Sequence, residues 1–187
     1  MMLLEGLLSP RFFNRLRTEE QLGYVATTFP VMFAHSAGIG FGVQSPVQGT
    51  TGLADRFESF YFHALAQLRG VTKEEFEGVR QGVLASLTKS PDTLEEEFGW
   101  LETDLRLGNR DFDSLGRLVG ALKTITLPEV VRAYETMVLG PGGTRAVIQV
   151  QGSRFSDFGW ARKTGAALVK QPEDFHRLMG LQRYQGL

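Results

Sequence analysis

Residues 11–25 read Arg11-Phe12-Phe13-Asn14-Arg15-Leu16-Arg17-Thr18-Glu19-Glu20-Gln21-Leu22-Gly23-Tyr24-Val25, and a change of hydrophobic period inside this stretch decides the fold class. Up to Leu16 the apolar positions follow a helical repeat that begins with Leu3, Leu4, Leu7 and Leu8 and continues through Phe12 and Phe13. Ser9-Pro10 supplies a cap residue and a first-turn proline, which predicts a kinked pair of helices, and Gly23 is placed to end the second. Arg15 and Glu19 stand four apart as a surface pair. From Tyr24 onward the period is two. Val25, Thr27, Phe29, Val31 and Phe33 alternate with a second set as a half-buried strand does, and Pro30 predicts that this strand lies at an edge.

Working outward, Ile39, Phe41 and Val43 alternate with Gly38, Gly40 and Gly42, a second strand with one bare face onto which a neighbour must pack closely. The glycine spacing does not match the dinucleotide-binding fingerprint, and no strand-to-helix turn follows it. The remainder is mostly helical. Leu53, Phe57, Phe60, Ala64 and Leu68 mark one face of a helix that Gly70 can terminate. Thr72 with Glu75, Thr93 with Glu96 and Thr126 with Glu129 each fit the capping box, so three further helix starts are written in the chain. Leu115, Leu118 and Leu122 predict another short helix, and a closing strand is expected at Ala146, Ile148 and Val150 after the Gly140-Pro141-Gly142-Gly143 break. Helix, two strands, several helices and one strand make an α+β domain: a layered antiparallel sheet with helices packed on one face. Three strands are few for so many helices, so the domain is expected to be incomplete at its N-terminus, with residues 1–187 forming a single unit and 153–187 an extension packed on it or partly ordered.

Composition narrows the function classes. There are 187 residues, 20 basic and 21 acidic, for a net charge of -1. Such a balance gives no basic stripe for nucleic acid. No apolar run approaches the roughly 20 residues of a membrane-spanning helix. Cysteine is absent, which removes disulfide scaffolds, thiolate metal sites and cysteine nucleophiles while leaving the compartment open. The three histidines, His35, His63 and His176, are too far apart in sequence for a helical zinc pair, and neither HExxH nor HxxEH occurs, so no metal ligand is assigned. His63 reads as a structural histidine, and Glu95-Glu96-Glu97 as a dipole-compensating first turn. A G-x-S-x-G elbow and a Walker loop are also missing.

The segment at 13–24 keeps two readings open. If the helix persists to Gly23, Phe13, Arg17 and Tyr24 share one face; the arginine and the phenol can both donate to a peptide carbonyl, and the phenylalanine can line a side-chain pocket. The bland alternative puts Phe13 in the core, pairs Arg17 with Glu20 or Gln21, and makes Tyr24 an ordinary strand residue.

The literal sequence Phe13 to Val25, with Arg-Leu-Arg-Thr-Glu-Glu-Gln-Leu-Gly-Tyr at 15–24, closely resembles the signature of the fourth domain of insulinase- and pitrilysin-type M16 zinc metallopeptidases. The order of elements around it, including a glycine-containing strand ending at Gln44-Ser45 and a Thr-Glu-Glu-Phe helix start at Thr72 to Phe76, is similar through residue 152. In that family four related α+β domains form two bowl-like halves that enclose a peptide, and the N-terminal half carries zinc and HxxEH. The resemblance implies that Arg17 and Tyr24 hold the substrate and stabilise the transition state, that Phe13 helps line a substrate side-chain pocket, and that zinc lies in an N-terminal half outside this chain.

On that resemblance the chain is expected to be a non-catalytic, substrate-binding C-terminal domain of a peptide-degrading zinc metalloendopeptidase, inactive alone. Its expected partners are a peptide and the zinc-bearing half, with self-association through the truncated surface as a further expectation; nucleic acid and membrane are not. Two alternatives stand beside it: a non-catalytic partner subunit of a two-chain peptidase, and a purely structural domain, which would bury Arg17 and Tyr24. Likeness to bacterial pitrilysin favours the periplasm and leaves the cytoplasm open.

Overall fold

The computed structural model describes residues 1–33, 36–140, 145–155, 159–160, 167, 169, 171 and 173–174. Helix α1 spans Met2–Phe13 and occupies the centre of the domain. Leu3, Leu4, Leu7, Leu8 and Phe12 on it are buried, and Leu16 just beyond continues the stripe. Burying each such side chain contributes roughly 1.5–3 kcal/mol, so this one helix organises the core. The expected kink does not separate two helices. Pro10 lies inside α1, and the α-helix passes without interruption into a π-helical turn at Asn14–Glu19.

The chain then leaves the helix earlier than expected. Glu20 is the C-cap, and Gln21 turns it with φ 51°, so the reversal precedes Gly23. Strands β1, Val25–Phe33, and β2, Ser36–Gln44, pair antiparallel with Val25 opposite Gln44 and Phe29 opposite Gly40. The bare face at Gly40 has its neighbour: a Cβ there would overlap the ring of Phe29. Among the described residues the sheet has only these two strands, so Pro30 does lie on an edge. The closing strand is not formed. Residues 145–150 join neither β1 nor β2, and Ile148 and Val150 are exposed. Alternating apolar residues fit a strand only where a ladder neighbour exists, and Arg145 is instead held by Glu58 and the Val138 carbonyl.

The helices follow the expected starts: α2 at Thr50–Arg69, α3 at Lys73–Thr88, α4 at Leu94–Leu107, α5 at Ser114–Thr124 and α6 at Leu127–Tyr134, with a π-helical continuation at Glu135–Leu139. The caps are only partly reciprocal. Thr72 accepts from the Glu75 amide at 3.1 Å while Glu75 itself pairs with Arg11 at 2.7 Å. Thr93 accepts from Glu96, whose carboxylate reaches the Asp92 amide, whereas Glu129 does close on the Thr126 amide at 2.7 Å. Gly108 ends α4 in the left-handed region at φ 73°.

Packing is aromatic at the centre. The Phe12 ring meets Phe60 edge-on at 4.9 Å, Phe41 edge-on at 5.3 Å and Phe57 in a parallel stack at 5.7 Å, tying α1 to β2 and α2. Tyr134 is fully buried and donates to the Tyr61 carbonyl at 2.7 Å, which locks α6 onto α2. The described part of the extension after residue 152 includes a 3-10 turn at Ser153–Phe155 and the Gly159 carbonyl, which accepts from Thr51 at 2.9 Å; His176 and most of that segment lie outside the described residues, as does His35. The architecture is α+β, with helices dominating a small antiparallel sheet. No helix among the described residues is long and apolar enough to cross a membrane.

Candidate functional site

Where α1 opens into the π-helical turn, Phe12 faces the core and its neighbour Phe13 faces out, 40% exposed. One wide turn later the Arg17 guanidinium carbon stands 4.8 Å from the centroid of the Phe13 ring. The reversal at Gln21 then sends Leu22 back into the core, with its amide donating to the Leu16 carbonyl at 3.0 Å. Tyr24 emerges with its ring centroid 4.7 Å from the same guanidinium carbon and 80% of its surface exposed. Phe13, Arg17 and Tyr24 are therefore brought together, though by a chain reversal and not by the continuous helix that the spacing argument assumed. Contacts of an arginine with two aromatic faces are worth roughly 0.5–1 kcal/mol each at exposed sites, and they restrict how the guanidinium plane can turn.

Electrostatics leaves that guanidinium available. The nearby carboxylates are taken by other cations: Glu19 by Arg15 at 3.0 Å, and Glu20 by Arg15 at 2.7 Å and Arg56 at 3.4 Å. The hydrogen bonds Arg15 donates to both carboxylates, with their charges, raise its pKa above the ordinary value, Glu19 being the larger influence. Arg17 has no carboxylate partner among the described residues, so the Arg17–Glu20 pair of the bland reading is not formed. Among the described residues no acceptor takes a hydrogen bond from its N–H groups, so they can donate, and the adjacent phenol adds a further donor.

Backbone geometry fixes the approach of Tyr24. A Cβ on Gly23 would overlap the Gln44 carbonyl oxygen, so only glycine lets this segment lie against the end of β2. The Ser45 hydroxyl donates to the Leu22 carbonyl and accepts from the Val47 and Gln48 amides at 3.1 and 2.9 Å. Sequence reading missed Ser45 and Arg56. A serine directly after a strand and before Pro46 is a recognisable turn signal, whereas nothing local singles out Arg56.

Two surface concavities, of about 350 Å³ beside α2 and α6 and about 420 Å³ beside α1, α2 and α3, are lined by other residues. The Phe13–Arg17–Tyr24 cluster lies on an open face, which can form one wall of a cleft and needs a second surface for the other. His63 is exposed and its Nδ1 is engaged by the Ser59 carbonyl at 2.7 Å. Glu58, on the same helix, pairs with Arg145 at 2.5 Å. Among the described residues no three histidines, aspartates or glutamates gather as a metal-binding group.

Comparison with known proteins identifies the family and the fold. A family model described as "PQQ synthase PqqF-like, C-terminal lobe domain 4" matches residues 3–101. The chain is 35% identical over 152 residues to Protease 3 of Escherichia coli K12, covering 81% of this chain and 16% of that protein. Likeness to the insulin-degrading enzyme of Mus musculus is 30% over 134 residues, or 71% of this chain and 13% of the enzyme. The crystal structure of pitrilysin superposes with a TM-score of 0.69 at 35% identity, over 75% of this chain and 15% of that one. The chain thus spans less than a fifth of the length of these relatives.

Proposed function

The chain belongs to the PqqF-like family of fourth domains of the C-terminal lobe, homologous to the M16 metallopeptidases, and on that premise we propose that it is the substrate-holding domain of a peptide-degrading enzyme of this kind. One observation carries the reading: Arg17, with no carboxylate partner among the described residues, is stacked beside an exposed Tyr24 on a surface otherwise stitched together by ion pairs. A purely structural domain is expected to bury Arg17 and Tyr24, and Tyr24 is 80% exposed.

In this reading Arg17 and Tyr24 donate hydrogen bonds to the carbonyl of a bound peptide, and Phe13 lines the pocket for a substrate side chain. Arginine keeps its charge at any working pH, so it offers the same donors to the carbonyl and to the more negative oxygen that develops as the peptide bond is attacked. Donors already fixed in place bind that developing charge without reorganising, which makes the interaction stronger in the transition state than in the ground state. The two aromatic faces hold the guanidinium plane so that little rotamer freedom is lost on binding.

The relatives are zinc metallopeptidases, and the described residues of this chain do not fit zinc: there is no cysteine, and the only described histidine already bonds to a carbonyl. In this reading bond cleavage belongs to an N-terminal half carrying HxxEH, as the resemblance implies, and binding and orientation to the residues named above. Whether that half lies on the same polypeptide or on a separate partner subunit is decided by the reading frame upstream of this one.

The test is hydrolysis of a quenched peptide by this chain alone and after mixing with the separately produced zinc-bearing half. Cleavage only on mixing, and its loss with Arg17→Ala, is the expected result. Chelator-sensitive hydrolysis by this chain alone, or full activity of the Arg17→Ala mixture, overturns the reading.

A further inference from the structure

Tyr24 is 80% exposed, yet its ring centroid stands 4.7 Å from the Arg17 guanidinium carbon, and little packing holds an exposed side chain there. Its backbone explains the position. On one side Val25 already sits in the ladder opposite Gln44. On the other, the Leu22–Gly23 segment is fastened at three points: the Leu22 amide to the Leu16 carbonyl, the Leu22 carbonyl to the Ser45 hydroxyl, and Gly23 pressed onto the Gln44 carbonyl. Just before these anchors Gln21 adopts φ 51°, a backbone conformation uncommon for a residue other than glycine.

Ser45 ties one of these anchors, the Leu22 carbonyl, to the turn that leads into α2. A hydroxyl has one donor and two acceptor positions, and Ser45 uses all three: it donates to Leu22 and accepts from the Val47 and Gln48 amides just before α2. We propose that Ser45 is a positioning residue that holds Tyr24 over the Arg17 guanidinium, so that the end of β2, and not the packing of the tyrosine ring, sets the separation of the two donors. This rests on the peptide-holding reading for its functional meaning but not for its geometry.

Ser45→Ala in the full 187-residue chain is the test, with Thr72→Ala as a control that removes a cap hydroxyl remote from the site. Side-chain protons of Arg17 lie against two aromatic faces, and their NMR resonances should be displaced by ring currents. Ser45→Ala is expected to return the displacement at least halfway to the value of free arginine, and Thr72→Ala to leave it in place. If Ser45→Ala does not fold, Ser45→Cys, whose thiol is a weak donor of similar size, is expected to show the same loss. An unchanged Arg17 resonance in either folded variant overturns the proposal. In the assembled peptidase the same substitution should lower kcat roughly tenfold or more with little change in KM, because a displaced donor costs orientation more than binding. A lost ring-current shift with unchanged kcat would support the positioning role and strike down the peptide-holding reading.

Discussion

The Arg17 guanidinium carbon lies 4.7 Å from the centroid of the Tyr24 ring, and the two residues reach each other across a chain reversal. The stacking uses the ring, while the proposed chemistry uses the hydroxyl. Tyr24→Phe separates them: the exposed ring remains over Arg17 and the donor is lost. In the assembled enzyme this variant should lower turnover on the order of 100-fold, as removal of an oxyanion-stabilising donor does. Its thermal midpoint should stay within about 1 °C of the parent, since an exposed phenol contributes little to folding. Equal peptidase rates would refute the role of the phenol.

Arg17→Lys tests the shape of the donor as well as its charge. Lysine keeps the positive charge but loses the planar fork that lies against Phe13 and Tyr24. Peptide hydrolysis by the assembled enzyme should fall at least roughly tenfold, and an Arg17→Lys variant as active as the parent would contradict the role of the fork.

Phe12 is the centre of the aromatic cluster and is fully buried. Phe12→Ala should cost about 3–5 kcal/mol in chemical denaturation, because the rings of Phe41, Phe57 and Phe60 cannot all collapse into the space left. Phe13→Ala, one position away on the solvent side, should cost under about 1 kcal/mol. Similar losses at the two positions would mean that the orientation of α1 is wrong.

Two glycines predict opposite signs. Gly82 is inside α3 with nothing near its missing Cβ, so Gly82→Ala should stabilise by about 0.5–1 kcal/mol through helix propensity. Gly108 is equally open but has φ 73°, so Gly108→Ala should destabilise by about 1 kcal/mol. Urea midpoints moving in the same direction for both variants would exclude the helix boundary described for α4.

Tyr61 is packed among Phe41, Phe57 and Phe60, and burial, opposed by Arg145 and aided by Glu58, pushes its phenol up to about 12. The unfolded phenol ionises near 10, so between these values the unfolded state binds fewer protons and stability falls as pH rises. The folded state should lose on the order of 2–3 kcal/mol from this group between about pH 10 and 12. Burial also raises the Tyr134 phenol and adds to the same trend. Tyr61→Phe should flatten the alkaline decline, and an unaltered pH profile in that variant would count against the buried position of the phenol.

Local signals were legible where the physics is local. The cap threonines at 72, 93 and 126 and the breaks at Gly70, Gly108 and Gly140 placed the helices, since a helix end is set by which nearby group satisfies its orphan backbone donors and acceptors. Likewise the alternation at 25–33 and 36–44 produced the two strands. The segment at 146–150 has the same alternation and forms no strand, because a strand needs a neighbour and the pattern does not supply one. The Ser9-Pro10 pair carries the local signature of a boundary, but buried Leu7 and Leu8 before it and Phe12 after it keep α1 whole.

By itself the sequence determined the helix-rich α+β class, the absence of thiol chemistry and the motif that relates this chain to the fourth domain of M16 peptidases. Tertiary structure decided that Arg17 would be available and Tyr24 beside it. Arg56 joins Arg15 in claiming Glu20, and Ser45 fastens Leu22 while Gly23 lies on Gln44, so the reversal at Gln21 is fixed by residues distant in the chain. Spacing along a helix can place two side chains on one face, but which charge is left unpaired depends on which distant partners fold against it.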